Sequence, residues 1–143
     1  MNLMAGICLL IQGIWDVRTK EIPTWVSLGF GICSFLYSIC NQRDWICMIF
    51  ALLPGIICLF IGYVTGQAIG YGDGILLCAL GLLYSMEQVM NICMIASFVA
   101  GIVGLVLLSV FKKGRNYQIP FVPFLFLGWL FQYITDLNGG LLV

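Results

Sequence analysis

The chain has only six acidic residues among 143, and two of them stand where a carboxylate is costly. Asp16 follows an apolar run that begins at the N-terminus. Asp73 lies within GYGDG, residues Gly70 to Gly74, between the oily stretches PGIICLFIGYVTG and ILLCALGLLY. Two carboxylates brought together do not both ionise easily, so they share a proton and titrate as a unit. The ionised member can take a proton from water while the neutral member donates to a carbonyl oxygen. That is hydrolytic acid-base chemistry, and it calls for no metal, cofactor or histidine. The chain contains no histidine, which removes Ser-His-Asp and Cys-His sites and the HExxH zinc motif. No metal or cofactor is expected.

The elements that position these acids follow from composition. Hydrophobic residues make up 62% of the chain and charged residues 8%, against roughly 25% charged in a soluble domain. Apolar runs at about residues 2–15, 24–40, 45–65, 74–86, 89–111 and 119–136 predict an all-α polytopic membrane protein. It would have about six transmembrane helices, forming a single domain over 1–143. The break at 84–92 carries one charge, Glu87, and is the weakest. The N-terminal run lacks a basic n-region and a small-residue cleavage site, and reads as a retained helix. The formal net charge of zero argues against a nucleic-acid partner.

Basic residues set the orientation. Arg18 and Lys20 lie in the first break, and Lys112, Lys113 and Arg115 in the fifth; only Arg43 falls on the opposite side. The side holding Asp16, Glu21 and Asp73 is therefore expected to be cytoplasmic, with both termini outside. Asp44, Glu87 and Asp136 fall outside as solvated charges, and Glu21 sits in a charged loop. The run before Asp16, residues 1–15, reaches roughly 22 Å as a helix. The run Gly74 to Met86 is shorter still. Both fall short of a hydrocarbon core of roughly 30 Å, so Asp16 and Asp73 are expected at similar depth inside the membrane. Acids so placed face the protein interior or a wet cavity, and are candidates for function.

The surrounding residues suit this use. The glycines of GYGDG leave backbone bare on both sides of Asp73 and permit positive φ. Gly62, Gly66 and Gly70 recur every four residues and suit close helix packing. Pro23, after Ile22, can begin the second helix. Pro120 and Pro123 lack amide donors, so carbonyls of the preceding turn can stay unbonded. Trp15, Trp25 and Tyr71 read first as interfacial anchors. Seven cysteines without a CxxC read as small buried hydrophobes, and a Cys40–Cys47 disulfide has no further support.

Three stretches in order, DVRTKEIP (Asp16 to Pro23), GYGDGILLCALG (Gly70 to Gly81) and IPFVPFLFLG (Ile119 to Gly128), resemble the type IV prepilin peptidases. That family includes the archaeal preflagellin peptidases and belongs to the GxGD intramembrane aspartyl proteases. The resemblance spans essentially the whole chain. It implies that Asp16 and Asp73 are the catalytic pair, supported by Gly70, Tyr71, Gly72, Gly74, Ile22, Pro23, Pro120 and Pro123. It implies cleavage of a short basic leader from pilin-like or archaellin-like precursors, which carry a hydrophobic helix in the lipid, at the cytoplasmic face of the cell membrane. Bifunctional relatives carry an N-terminal domain with paired CxxC motifs. This chain opens directly on a helix, so a peptidase without N-methyltransferase activity is expected.

Two other classes compete with this reading. Intramembrane acids and broken helices also suit a small proton-coupled transporter, but no repeat relates the two halves. A non-catalytic assembly component of a pilus or secretion apparatus would explain small size and glycine-rich faces, but not two acids at matched depth. Presenilin-type proteases share GxGD; the short chain and DVRTKEIP favour the prepilin side.

Overall fold

The computed structural model describes residues 2–19, 24–65, 70–109 and 120–141. Every regular element among them is a helix: α1 (Asn2–Thr19), α2 (Thr24–Cys40), α3 (Trp45–Val64), α4 (Tyr71–Leu83), α5 (Met86–Ser109) and α6 (Val122–Leu141). Each apolar run of the sequence becomes one of these helices, with ends displaced by a few residues. Ile22, Pro23, Gly66 and the basic residues Lys20, Lys112, Lys113 and Arg115 lie outside the described residues.

Local signals explain the displaced ends. The weak break at 84–92 shrinks to Tyr84 and Ser85 because Ser85 and Gln88 form a capping box. The Gln88 N–H donates to Ser85 Oγ (3.4 Å), and the Ser85 N–H donates to Gln88 Oε1 (3.0 Å). Two donors that a helix start leaves unmatched are thereby paired, so α5 begins at Met86 and Glu87 lies in its first turn. Between α2 and α3, Gln42 adopts φ 49. Its N–H donates to Ile39 O and that of Arg43 to Ser38 O, the paired bonds of a Schellman stop with a non-glycine residue in the left-handed position.

The shortest helix, α4, is the most enclosed. It packs against α2, α3 and α5, while α6 packs against α1 and α5. Leu76, Leu77 and Leu80 of α4 join Ala5 and Leu9 of α1, Phe30 of α2, Val89 and Ile92 of α5, and Val122, Leu125 and Trp129 of α6 in one core. Glycines set the closest approaches. A Cβ at Gly74 would lie 2.6 Å from the Leu59 side chain, one at Gly55 2.6 Å from the Cys78 amide nitrogen, and one at Gly81 would collide with the Ala51 carbonyl. Only bare backbone fits along this α3–α4 seam. The C-terminal end of α4 is tied to the α2–α3 turn, because the Arg43 guanidinium donates to the carbonyls of Leu82 (3.0 Å) and Tyr84. Trp129 of α6 donates through Nε1 to Tyr84 Oη at 2.8 Å.

Polarity is inverted relative to a water-soluble bundle. The buried polar and charged side chains include Gln12, Asp16, Ser27, Ser34, Ser38, Asp73 and Gln132. Large apolar groups instead point outward, among them Ile46, Ile49 and Phe60 of α3 and Met94, Phe98 and Leu105 of α5. Two stretches, Trp45–Val64 and Met86–Leu107, are long and apolar enough to cross a membrane; Thr24–Cys40, Tyr71–Leu83 and Val122–Leu137 are apolar but shorter. The seven cysteines are free thiols, and the expectation that they are buried is corrected. Cys33, Cys40 and Cys47 are exposed on α2 and α3, and the other four are half-buried.

Candidate active site

Asp16 belongs to the buried stripe of α1 that runs through Ala5, Leu9, Gln12 and Gly13, at spacings that keep one helix face inward. The helix does not stop before this acid, as the run length suggested, but continues one turn to Thr19. Asp16 is 5% exposed. Its Oδ2 accepts the backbone N–H of Val122, the first residue of α6, at 3.2 Å.

The position of Val122 at the start of α6 explains that contact. Pro120 and Pro123 flank Phe121 and Val122, so Pro123 contributes no amide to the first turn of α6, while Phe124 and Leu125 both donate to the Phe121 carbonyl. The Val122 N–H is among the first amides of a helix, which have no intrahelical acceptor, and Asp16 takes it. Gly13, about one turn earlier on α1, faces the same segment: a Cβ there would stand 3.6 Å from the Pro123 backbone, an ordinary van der Waals contact. The unbonded carbonyls expected in the turn before these prolines fall on residues up to 119, outside those described. What the structure adds is an amide aimed at Asp16.

Asp73 sits in the first turn of α4, not in a loop ahead of it. Gly70 is the N-cap, and the Asp73 N–H donates to its carbonyl at 3.1 Å. The φ of Gly70 is −62, which any residue adopts, so the expected positive φ does not account for this glycine. Proximity does: a Cβ on Gly70 would lie 3.3 Å from Asp73 Oδ2. The expectation that glycines bare both sides of Asp73 is thus half corrected. Gly70 clears the carboxylate, whereas Gly74 serves packing against Leu59. Gly72 is buried and Tyr71 half-buried, while Trp15 and Trp25 point outward. The Gly62–Gly66–Gly70 stripe does not run along one helix, because α3 ends at Val64.

Asp73 is 7% exposed, and its Oδ1 has no hydrogen-bond partner among the described residues. The two carboxyl groups lie within electrostatic range of each other. Each also stands at a helix N-terminus, Asp73 in the first turn of α4 and Asp16 against the first amide of α6. Helix N-termini stabilise negative charge, which offsets part of the cost of burying two acids. Among the described residues no group of three or more Cys, Asp or Glu is placed to hold a metal ion. Two buried carboxyl groups can exchange protons with a water and a carbonyl.

Two further residues at the site carry little signal in the sequence. Val122 carries no side-chain signal, and only its place at a helix start marks its amide. Gln12 is 1% exposed and accepts a hydrogen bond from Ser27 Oγ at 3.2 Å; its mark is a polar residue four positions before Asp16.

A sequence model of the type IV leader peptidase family matches residues 3–105. The matched region includes both acids and GYGDG and ends before IPFVPFLFLG. No curated protein and no solved structure matches the chain.

Proposed function

The chain belongs to the type IV leader peptidase family, and from that premise we propose that it is an intramembrane aspartyl endopeptidase whose catalytic pair is Asp16 and Asp73. Its substrates are pilin-like or archaellin-like precursors, from which it removes a short basic leader at the cytoplasmic face of the cell membrane. The observation that carries this reading is the burial of two acids, 57 positions apart in sequence (73 − 16), within electrostatic range of each other. Burying two carboxylates costs stability, and acids placed inside a membrane are candidates for function.

One ionised carboxylate takes a proton from a water, and the resulting hydroxide equivalent attacks the scissile carbonyl carbon. The neutral partner gives its proton to the carbonyl oxygen. Collapse of the tetrahedral adduct breaks the C–N bond, and the amine leaves with a proton returned from the pair. The Val122 amide holds Asp16 in place through this cycle, and Gly70 leaves Asp73 Oδ2 clear.

The inverted polarity supports placement in lipid, since an outer surface this apolar has no stable hydration in water. In that placement the six helices cross or enter the bilayer with both termini outside, and the two acids lie toward the cytoplasm, where a leader peptide is found. The test is cleavage of a pilin-like precursor in proteoliposomes by the wild-type chain and by Asp16→Asn and Asp73→Asn. Each substitution is expected to reduce cleavage by about a thousandfold or more. Cleavage that survives both substitutions sinks the proposal.

A further inference from the structure

Gln12 is almost wholly buried, yet only half of its carboxamide is used. Oε1 accepts from the Ser27 hydroxyl, and Nε2 has no partner among the described residues. Buried donors without acceptors are rare, and each calls for a reason. Gln12 and Asp16 are four residues apart and share the inward stripe of α1, so they are neighbours on one face. Helical side chains lean toward the N-terminus, which brings the Asp16 side chain over the turn that carries Gln12. Ser27 of α2 anchors the acceptor end of the carboxamide, leaving the donor end for another group.

We infer that Gln12 is a substrate-positioning residue whose Nε2 donates to a backbone carbonyl of the precursor on the mature side of the scissile bond. This rests on the peptidase reading above. A peptide segment that unwinds to be cut carries carbonyls that find no water in an apolar interior. A carboxamide can meet one without adding charge beside the carboxylate pair. Gln12 lies four residues, about 6 Å, from Asp16 toward the N-terminal end of α1. In the proposed orientation that direction is deeper into the bilayer, where the hydrophobic helix of the precursor runs, so the carbonyl it meets belongs to the mature part.

The test uses the full chain in proteoliposomes and a pilin-like precursor that the wild type cleaves. Gln12→Met keeps length and bulk but removes the donor. KM is expected to rise about tenfold with kcat nearly unchanged, the mark of an interaction made equally in ground and transition states. Precursor affinity, measured in the Asp73→Asn background where cleavage does not interfere, is expected to fall by about the same factor. Ser27→Ala, which releases the anchor, is expected to raise KM by a smaller factor. The melting temperature of Gln12→Met should change little, because the unmatched Nε2 donor and the Oε1 that accepts from Ser27 are lost together. A lowered melting temperature with unchanged KM makes Gln12 a packing residue and overturns the inference, as does unchanged affinity in both variants. The peptidase reading fails on a different result, cleavage that persists in the aspartate variants.

Discussion

The Asp16 carboxylate accepts the backbone N–H of Val122 at 3.2 Å, so an acid on the first helix is held by the first amide of the last. The bond joins positions 106 residues apart and depends on no side chain of α6. It makes the start of α6 part of the candidate site although no ionisable group lies there.

Val122→Pro isolates that bond. Proline suits the first position of a helix but has no N–H to offer. A hydrogen bond to a charged group contributes roughly 1.5–3 kcal/mol, so kcat/KM should fall on the order of tenfold or more. Val122→Leu, which keeps the amide, should fall much less. Cleavage rates for the two variants at matched protein levels check this, and equal rates would show the amide to be dispensable.

The pair of acids sets the pH profile. If one proton is shared between Asp16 and Asp73, kcat/KM declines at low pH, where both are protonated, and again at high pH, where both are ionised. The profile is expected to be bell-shaped. A rate that keeps climbing with pH across both limbs would show that no protonated acid takes part.

The glycines should separate by what each touches. Gly70→Ala places a methyl 3.3 Å from Asp73 Oδ2, so cleavage should drop while the melting temperature holds. Gly74→Ala and Gly81→Ala press on Leu59 and on the Ala51 carbonyl and should cost about 1–3 kcal/mol of stability by overpacking. Gly101→Ala, where a Cβ meets nothing within 4 Å, should be neutral or stabilise by up to about 1 kcal/mol through helix propensity. Thermal unfolding in detergent alongside the cleavage assay reads both effects.

Arg43 should matter for folding more than for chemistry. Arg43→Met removes two bonds to the carbonyls that end α4, with an expected loss of about 1.5–3 kcal/mol. Gln42→Gly, at the neighbouring φ of 49, should instead gain up to about 1 kcal/mol by relieving a left-handed side-chain residue. Opposite shifts in melting temperature are the expected result.

The helical segments were legible because each is an apolar run with a polar break, and Asp16 and Asp73 stood out because acids in such runs are costly. The ends were less legible. Asp73 looks like a loop residue when glycine is read as a breaker, but Gly70 acts as an N-cap and the helix starts at Tyr71. The Ser85–Gln88 box was present in the letters but masked by the apolar run around it. Gly74 reads in the sequence as bare backbone beside Asp73, because only α3 in space shows that Leu59 is its neighbour. Gln12, Arg43 and the Val122 amide act through contacts 15, 39 to 41 and 106 residues distant, which no local pattern encodes.

The α3–α4 seam has a consequence for how this chain can change over time. GILLCALG reads as an interchangeable oily stretch, yet Gly74 and Gly81 within it, and Gly55 facing it, each admit no larger residue. Outward positions such as Ile46, Phe60 and Phe98 meet no such limit and can drift among apolar types. A saturation library scored for expression should therefore find its least forgiving positions among residues with no chemistry at all. The lineage can redecorate its outer surface freely, but it inherits the seam beside Asp73 as a fixed template.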